Sequence, residues 1–466
     1  MKHVHFIGIG GTGLSAIARL LRERGYTVSG SDRTASPLFD ALTAAGVKTY
    51  LGHAPEQVAG ADLVVRSSAI PNDNPEVLAA LNAGIPVVKR SDFLSELTAG
   101  KETLAIAGTH GKTTTTGMLI WILENLSAHP SFISGGVVTQ LGCNARAGSG
   151  PHFVIEADEY DSMFLGLTPK IAVITNIEHD HPDCFPTEAD YLQAFSSFLS
   201  LVRPDGLAII CRDDPNARAL MDQFKAEKLL AFGYGLSADA DYRAEKVQFV
   251  DGLPKFSLVH REPSGETSLL GKVNLSVPGQ HNVVNATAVL AVIHQLGLPV
   301  EDAIEALAQF SGAGRRFEVL GEANGITIVD DYGHHPTEIY ATLQAAKSRY
   351  PGRRIWAIWQ PHTYTRTRTL ESAFTQSLQQ ADRAIVLKIY AAREQDPGYS
   401  AEKIAHALPN GMGTYISKAN DAVNYLMENL VPGDVAVFLS AGDATQISHT
   451  LLHKMSHQAG SKESEA

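Results

Sequence analysis

The stretch LAIAGTHGKTTTT places a lysine and several threonines directly after a glycine turn. Four of its residues have the types that a phosphate loop uses: Gly108, Gly111, Lys112 and Thr113. Such a loop offers backbone N–H groups to phosphate oxygens, an ammonium group to the β and γ phosphates, and a hydroxyl to Mg²⁺. Ile106 stands where the eight-residue pattern has its first glycine, so this is a shorter form. We predict that the turn holds a nucleoside triphosphate.

A second glycine turn lies near the amino terminus. Gly8, Gly10 and Gly13 of IGIGGTG follow an apolar strand and open a helix, and Asp32 ends the next strand. This spacing is typical of a helix N-terminus that binds a diphosphate while an acid takes a ribose hydroxyl. Read alone, it favours a nicotinamide or flavin dinucleotide, then another nucleoside diphosphate, then a purely structural turn. With a triphosphate assigned to the first loop, this turn is available for a different nucleotide.

Acids and histidines follow two later apolar strands, in EADEYD and NIEHDHPD. Because parallel strands end at the same edge of a sheet, Glu156 and His181 are predicted to converge on a metal that bridges the phosphates. A solvated acidic rim and a zinc ion at HDH are the alternatives, but charge repulsion beside a triphosphate favours Mg²⁺. Further on, GRRFEV, DDYGHHPTE and QPHTYTRTR combine Arg, His and Tyr, as suits an anionic substrate or a phosphate in transfer.

The elements that must position these groups form three α/β blocks. Short apolar strands alternate with helix-like stretches over 1–98, again over 99–311 and again over 312–455, which is typical of parallel sheets. Between 240 and 278, three strand-like stretches follow one another without helices, and we predict an antiparallel insert there. The polar tail at 456–466 is predicted to be disordered.

Charge and apolar content argue against several classes of protein. The 38 Lys and Arg residues against 50 Asp and Glu residues give a formal charge of -12, which does not suit a nucleic-acid binder. No apolar run approaches the roughly 18 residues of a membrane span, and the amino terminus lacks the apolar region of a signal peptide. Three scattered cysteines make no disulfide framework. We expect a cytoplasmic protein, a monomer or weak dimer, with no membrane or nucleic-acid partner.

Several stretches, in this order, resemble motifs of the cytoplasmic Mur ligases: GIGGTGLSAIA, SSAI with NPE, AGTHGKTTTT, EADEYD, TNIEHDHPD, VPGQHNVVNA, GRRFE, DDYGHHPTE and QPHTYTRTRTL. The resemblance implies a Rossmann-like domain for a UDP-sugar, a central phosphate-loop ATPase domain, and a Rossmann-like carboxyl-terminal domain that closes over both. Among these ligases, the chain most resembles those that join L-alanine to UDP-N-acetylmuramate with ATP and Mg²⁺. The alternative is a muropeptide-recycling ligase, which joins a preformed peptide to the same sugar nucleotide.

The resemblance also implies a role for individual residues. The residues implied for the UDP-sugar are Gly8, Gly10, Gly11, Thr12, Gly13, Asp32, Ser67 and Ser68. Those implied for ATP are Gly108, Thr109, His110, Gly111, Lys112, Thr113, Thr114, Asn282, Asn285, Arg316 and Asp331. Thr113 and Glu156 are implied for one Mg²⁺ and His181 for a second. Tyr332, His334 and Arg366 are implied for the alanine pocket. The residues expected to carry the chemistry are Lys112, Glu156, His181, Arg316 and His334, with His334 as candidate base for the amine.

A few positions depart from the pattern of the family. Thr363 stands where other members have Arg, which leaves the hold on the amino-acid carboxylate open. Tyr160 stands where many alanine ligases have Ser and favours the recycling ligase, whereas QPHTYTRTRTL argues against it. Residues 191–202 contain no lysine, so no carbamoylated lysine is expected. An oxidoreductase and a non-catalytic UDP-sugar sensor are further alternatives, opposed by the second nucleotide loop and by the intact phosphate-transfer residues, respectively.

Overall fold

The computed structural model describes residues 2–463 except 228, 263 and 393, with side chains up to residue 457. The described chain forms two compact units. The first contains the residues up to Glu245 together with Ser257–Lys272 and Val284–Ala308. The second contains Lys246–Phe256, Val273–Val283 and the described residues from Gln309 onward. The predicted domain boundaries at 98 and 311 therefore stay predictions.

The first sheet is built from the amino-terminal block. Its elements are β1 (His3–Ile7), α1 (Thr12–Glu23), β2 (Thr27–Asp32), α2 (Pro37–Ala44), β3 (Lys48–Leu51), a 3-10 turn (Pro55–Val58), β4 (Leu63–Arg66), α3 (Pro75–Asn82), β5 (Val87–Lys89) and α4 (Arg90–Thr98). All neighbouring strands are parallel, in the order β3-β2-β1-β4-β5. The turn between β1 and α1 therefore lies where the strand order reverses, which is the usual ligand position in such sheets.

A buried polar network crosses this first block. Glu76 is 0% exposed, and its carboxylate lies 2.6 Å from His5 Nε2 and 2.8 Å from His53 Nδ1. Ser31 Oγ donates to the same carboxylate over 2.9 Å. Burial raises the pKa of Glu76, but the hydrogen bonds from His5, Ser31 and His53 outweigh it and hold the pKa below its usual value. The ionised carboxylate thus ties α3 to strands β1 and β2.

The second sheet carries the phosphate-loop block. Its elements are β6 (Glu102–Ala107), α5 (Lys112–Asn125), β7 (Ser131–Val138), a 3-10 turn (Thr139–Leu141), β8 (Cys143–Arg146), β9 (His152–Glu156), a 3-10 segment (Tyr160–Gly166), β10 (Ile171–Ile174), α6 (Glu188–Ser200), β11 (Leu207–Cys211), α7 (Pro215–Ala226), β12 (Ala231–Gly235), β13 (Tyr242–Val250), β14 (Leu253–Arg261), β15 (Thr267–Asn274), α8 (Gln280–Gln295) and α9 (Val300–Leu307). The strand order is β15-β14-β13-β12-β11-β10-β6-β9-β7-β8. From β12 through β7 neighbouring strands are parallel, and β8 is antiparallel to β7.

The predicted insert forms one end of this sheet. Strands β13, β14 and β15 are consecutive neighbours. The turns that join them are too short for a parallel crossover, so these strands run antiparallel. Glycine supplies the tight turn between β13 and β14, where Gly252 has φ +73°.

The third sheet is built from the carboxyl-terminal block. Its elements are β16 (Glu318–Ala323), β17 (Ile326–Asp331), α10 (Pro336–Arg349), β18 (Ile355–Trp359), α11 (Tyr364–Thr369), α12 (Glu371–Leu378), β19 (Arg383–Leu387), α13 (Glu402–Ala407), a 3-10 turn (Pro409–Gly411), β20 (Gly413–Ile416), α14 (Ala419–Asn429), β21 (Val435–Leu439) and α15 (Thr445–Glu463). The order is β16-β17-β21-β18-β19-β20, with β16 antiparallel to β17 and the other neighbours parallel.

At the carboxyl terminus, α15 is described as far as Glu463, and the expected disorder over 456–466 stays a prediction. The residues 464–466 lie outside the described part. Apolar residues at helical spacing, such as Ile447, Leu451 and Met455, are buried and hold the helix to the sheet. No helix within the described residues is both long and apolar enough to cross a bilayer.

Several helices begin with a side chain that accepts from a first-turn amide: Ser36, Asn74, Thr187, Asp214, His335 and Thr363. In contrast, α1 and α5 begin after a glycine, Gly11 and Gly111, respectively, which has no capping side chain. The first-turn amides of α1 and α5 therefore have no side-chain cap.

Candidate active site

The turn between β6 and α5 requires both of its glycines. Gly108 has φ +132° and Gly111 has φ +82°, values that side chains other than glycine rarely adopt. A Cβ atom on Gly108 would lie 2.0 Å from Thr175 Oγ1, and one on Gly111 would lie 2.9 Å from Asn285 Oδ1. The backbone conformation and the close neighbours both explain the glycines that the sequence places here.

Lys112 begins α5 and turns its ammonium group back into the loop. Nζ donates to the carbonyl of Gly108 over 2.6 Å and to that of Thr109 over 3.2 Å. It also donates to Glu159, with distances of 3.0 and 2.8 Å to the two carboxylate oxygens. Burial lowers the pKa of Lys112, but the carboxylates of Glu159, Asp158 and Glu156 outweigh it and raise the pKa above its usual value. Lys112 is therefore a fixed cation inside the loop.

Glu159 is a site residue that the sequence did not single out. It is 1% exposed and accepts from the Tyr191 hydroxyl over 3.1 Å. His181 Nε2 lies 3.8 Å from its Oε1 atom, and Tyr191 also contacts Thr109 Oγ1 over 3.0 Å. Glu159 thus connects Lys112 to His181, whose ring lies edge-on to Tyr160 with centroids 5.0 Å apart.

Thr113 and Glu156, which the resemblance implies for one Mg²⁺, lie together. Thr113 Oγ1 donates to Glu156 Oε1 over 3.0 Å, and the amide of Gly135 donates to the other oxygen over 2.7 Å. Next in the helix, Thr114 is buried. A hydroxyl and a carboxylate at the same edge of the sheet are oxygen donors of the kind that Mg²⁺ uses.

His110 is held by hydrogen bonds to residues in the loop that follows β10. Its amide donates to Asn176 Oδ1 over 2.9 Å, and its Nε2 lies 2.9 Å from Glu178 Oε2. Its carbonyl accepts from Thr175 Oγ1 over 2.6 Å and from Asn176 Nδ2 over 3.0 Å. These contacts fix the loop backbone to the residues that follow β10.

The amino-terminal glycine turn is arranged around Asp32. The amide of Gly10 donates to Asp32 Oδ2 over 2.9 Å, and a Cβ atom on Gly8 would lie 3.2 Å from Ser67 Cβ. The structure therefore brings the turn, Asp32 and Ser67 together. The remaining residues predicted for this site lie beside them in the chain: Gly11, which precedes α1, Thr12, its first residue, and Ser68 in the turn after β4.

Arg90 lies across this turn and was not predicted. A Cβ atom on Gly13 would overlap its guanidinium group, and its Nη2 atom lies 3.6 Å from Asp158 Oδ2. Burial lowers the pKa of Arg90, and nearby carboxylates, Asp158 first, oppose that shift. The contact between residues 13 and 90 is long-range, so the local motif carried no signal for it.

The second unit contains its own cluster around Arg316. Arg316 Nη1 lies 3.4 Å from Glu338 Oε1, and its guanidinium carbon lies 5.3 Å from the centre of the Tyr332 ring. Asp331 accepts from the amides of Phe317 and Gly333, each over 2.7 Å. Burial raises the pKa of Asp331 to about 6, although Arg316 and these amides oppose the shift.

His334 and Arg366 are joined through His362. His334 Nδ1 lies 3.1 Å from the Tyr332 carbonyl, and its ring centre lies 5.8 Å from that of His362. His362 Nδ1 in turn lies 3.3 Å from Arg366 Nη1. Thr363, the position that departs from the family pattern, has φ +64° and caps α11 by accepting from the amide of Arg366 over 3.4 Å.

The two asparagines of HNVVN have different surroundings. Asn285 faces Gly111 in the first unit. Asn282 belongs to the second unit, where its Nδ2 donates to the Pro278 carbonyl over 2.7 Å. Beside it, burial lowers the pKa of His281 to about 4 and Arg316 adds to the shift. His281 was quoted within this motif but not singled out.

Comparisons with known proteins agree with this geometry. Three family profiles match successive parts of the chain: the Mur ligase family catalytic domain over residues 3–102, the Mur ligase middle domain over 106–293, and the Mur ligase glutamate ligase domain over 315–442. The chain belongs to the Mur ligase family. This Mur ligase is 42% identical to the UDP-N-acetylmuramate–L-alanine ligase of Carboxydothermus hydrogenoformans, over 97% of each chain. It is equally 42% identical to the ligase of that name from Trichlorobacter lovleyi, over 98% of this chain and 99% of the relative.

Solved Mur ligase structures share the fold. The UDP-N-acetylmuramate–alanine ligase of Thermotoga maritima matches with a TM-score of 0.83 and 28% identity, over 99% of this chain and 100% of that one. A murein peptide ligase from Psychrobacter arcticus matches with a TM-score of 0.73 and 29% identity, over 98% and 99% of the two chains. The predicted fold class and the predicted family are both confirmed. The amino-terminal glycine turn, read alone, favours a dinucleotide-binding oxidoreductase, and this interpretation is replaced by that of a ligase.

Proposed function

We propose that this Mur ligase uses ATP to form an amide bond between the lactyl carboxylate of UDP-N-acetylmuramate and L-alanine, in peptidoglycan precursor synthesis. The observation that carries the proposal is the phosphate loop, in which Lys112 and Thr113 lie beside Glu156, in a chain whose full-length relatives bear the name of that activity. The reaction takes place in the cytoplasm, where ATP and the sugar nucleotide are available.

The residues present fit Mg²⁺ at one position. Thr113 Oγ1, at the start of α5, and Glu156 Oε1, at the end of β9, are 3.0 Å apart and are hard oxygen donors. We assign them to hold Mg²⁺, which when bound neutralises the charge on the phosphate oxygens. His181 offers nitrogen, which Mg²⁺ accepts less readily, so its assignment to a second ion rests on the family resemblance alone.

The protein groups supply position and charge for two chemical steps. First, the lactyl carboxylate attacks the γ-phosphorus of ATP, giving an acyl phosphate and ADP. Lys112 and the loop amides stabilise the charge on the transferred phosphoryl oxygens. The amine of alanine then attacks the acyl carbon, and phosphate leaves as the amide forms. Arg316 is assigned to the phosphate charge, in line with its place in a cluster of charged and aromatic groups.

We assign the binding of the amino-acid substrate to Tyr332, His334 and Arg366. The amine of alanine is protonated at neutral pH and must lose a proton before it attacks. His334 Nδ1 lies 3.1 Å from the Tyr332 carbonyl and 3.4 Å from Glu338 Oε2, and we assign this imidazole to the amine of the substrate. Arg366 is 7% exposed and provides a cation for the carboxylate of the amino acid.

The recycling ligase is the second candidate, on the strength of one observation. Tyr160 donates from its hydroxyl to Asp183 over 3.0 Å and packs against His181, so the residue that departs from the alanine ligases belongs to the site. A solved relative with this type of fold is described as a murein peptide ligase. Measurement of acceptor use separates the two functions.

The test is phosphate release from ATP and Mg²⁺ in the presence of UDP-N-acetylmuramate. L-alanine, glycine, L-serine and a muropeptide tripeptide are compared as acceptors, with the mass of each product recorded. Release that depends on L-alanine, with the matching amide mass, supports the proposal. Release only with the tripeptide assigns the chain to recycling, and no release with any acceptor supports the non-catalytic sensor.

A further inference from the structure

The ammonium group of Lys112 has each of its three donors engaged by protein oxygens. Two acceptors are the carbonyls of Gly108 and Thr109, at 2.6 and 3.2 Å, and the third is the carboxylate of Glu159, at 2.8 Å. A phosphate oxygen that binds Lys112 must therefore replace one of these three acceptors.

Glu159 is the acceptor that can give way. The carbonyls of Gly108 and Thr109 belong to the loop backbone, whose conformation is fixed by the glycines of the turn. The Thr109 amide also donates a hydrogen bond to the Asn176 carbonyl over 3.0 Å. Glu159 contacts Lys112 through a side chain and carries the same sign of charge as phosphate. It also keeps other partners when it releases Lys112, because Tyr191 donates to it over 3.1 Å and His181 Nε2 lies 3.8 Å away.

We propose that Glu159 sets the nucleotide affinity of this site, because its carboxylate competes with phosphate for the ammonium group of Lys112. Glu159 is a positioning residue: it accepts from Lys112 in the nucleotide-free loop, and this contact is replaced by one from Lys112 to a phosphate oxygen when nucleotide binds. The inference rests on the proposed function, since it requires that the loop binds ATP. It predicts an effect opposite in sign to that of ordinary site damage, because weakening this acceptor makes nucleotide binding tighter.

The experiment measures Kd for ATP with Mg²⁺, and for ADP, by titration calorimetry on the full chain. Glu159→Gln keeps the size of the side chain and its contact with Tyr191 but replaces a charged acceptor by a neutral one. Hydrogen bonds to charged groups are about twice as strong as neutral ones. We therefore expect Kd to fall about five- to tenfold for both nucleotides. A purely structural role predicts a higher Kd instead.

Asp161→Asn is the matched control. Asp161 belongs to the same EADEYD segment, is exposed, and has φ +54°, a conformation that asparagine tolerates. The substitution removes the same unit of charge without touching Lys112. Kd is expected to change by less than about twofold. A fall as large as that of Glu159→Gln would mean that general charge removal, and not competition for Lys112, causes the tightening.

The outcomes distinguish the inference from the proposed function. If the unmodified chain does not bind ATP, the proposed function fails. If it binds ATP and Glu159→Gln raises Kd or leaves it unchanged, only the role of Glu159 fails. Should Glu159→Gln not give folded protein, Glu159→Asp decides: it withdraws the carboxylate by about 1.5 Å, and Kd is expected to fall about two- to threefold. An unchanged or higher Kd in that variant overturns the inference.

Discussion

Replacing Gly108 by alanine tests the phosphate loop most directly. The backbone at Gly108 has φ +132°, and a residue with a Cβ atom is strained by about 1–3 kcal/mol in such a region. The added atom would also lie 2.0 Å from Thr175 Oγ1 and 3.0 Å from the Asn176 carbonyl. Overpacking of this kind costs about 1–3 kcal/mol. The total destabilisation of Gly108→Ala is therefore about 2–6 kcal/mol.

Gly100→Ala separates the two contributions. Gly100 also has a positive φ, +74°, but nothing lies within 4 Å of an added Cβ atom, so only backbone strain remains. That strain is about 1–2 kcal/mol. Thermal unfolding followed by circular dichroism should show a Tm for Gly108→Ala about 3–4 °C below that of Gly100→Ala, if the contact costs about 2 kcal/mol in a unit of this size. The Gly108 carbonyl also accepts from Lys112, so Kd for ATP should rise in Gly108→Ala alone.

A second substitution checks that the contact is the cause. Thr175→Ala removes the atom that the new Cβ would meet first, so the double variant Gly108→Ala/Thr175→Ala should lose less Tm than the sum of the single variants. Equal Tm and equal Kd for Gly108→Ala and Gly100→Ala would refute the geometric reasoning. Strict additivity of the double variant would refute the assignment of the clash to Thr175.

Further substitutions test the other charged clusters. Glu76→Ala leaves buried His5 and half-buried His53 without their acceptor and should lower the free energy of unfolding by about 3–5 kcal/mol, measured by denaturant titration. Glu96→Ala, which loses an exposed ion pair, should change this free energy little. Because the pKa of Asp331 is raised to about 6, the folded state holds the carboxyl proton more tightly than the unfolded state does. The free energy of unfolding should therefore fall by about 3 kcal/mol as pH rises from about 4 to 6. Asp331→Asn should lack this fall when Tm is measured across the same pH range. Arg316→Ala should abolish ligation, measured as phosphate release, with the Kd for UDP-N-acetylmuramate unchanged. His334→Gln should mainly raise the KM for the amino acid if His334 orients the acceptor, whereas loss of kcat with an altered pH profile identifies it as the base.

Each of these expectations has a contrary result. Similar losses of stability in Glu76→Ala and Glu96→Ala would contradict the buried network. A pH-dependent fall that persists in Asp331→Asn would belong to another group. Weaker binding of the sugar nucleotide by Arg316→Ala, with turnover retained, would remove Arg316 from the phosphate chemistry.

Much of the site was predictable because its chemistry is local in sequence. Gly108, Gly111, Lys112 and Thr113 lie within six residues, and their types alone indicate a phosphate loop. The alternation of apolar strands and helices predicted parallel sheets for the same reason. The antiparallel insert was predictable too, because glycine and proline at its turns leave no room for crossover helices.

What the sequence did not reveal depends on contacts between distant residues. EADEYD contains four acids, and only folding buries Glu159 while it leaves Asp161 exposed. The 3-10 segment after β9 contains left-handed backbone at Asp161 and Ser162, so no helical or strand period assigns these side chains to a face. Arg90 reaches Gly13 from far along the chain, which a local motif does not encode.

Because glycines precede α1 and α5, the first amides of these helices should exchange their hydrogens with solvent more readily when no ligand is bound. A capping side chain contributes about 1 kcal/mol to a helix start, and these two starts lack it. Bound phosphate groups would accept from the same amides and complete both helices. Deuterium uptake at 12–14 and at 112–114 should therefore slow with UDP-N-acetylmuramate and with ATP, respectively. The first turns of α6 and α7, capped by Thr187 and Asp214, should exchange at the same rate with or without either substrate.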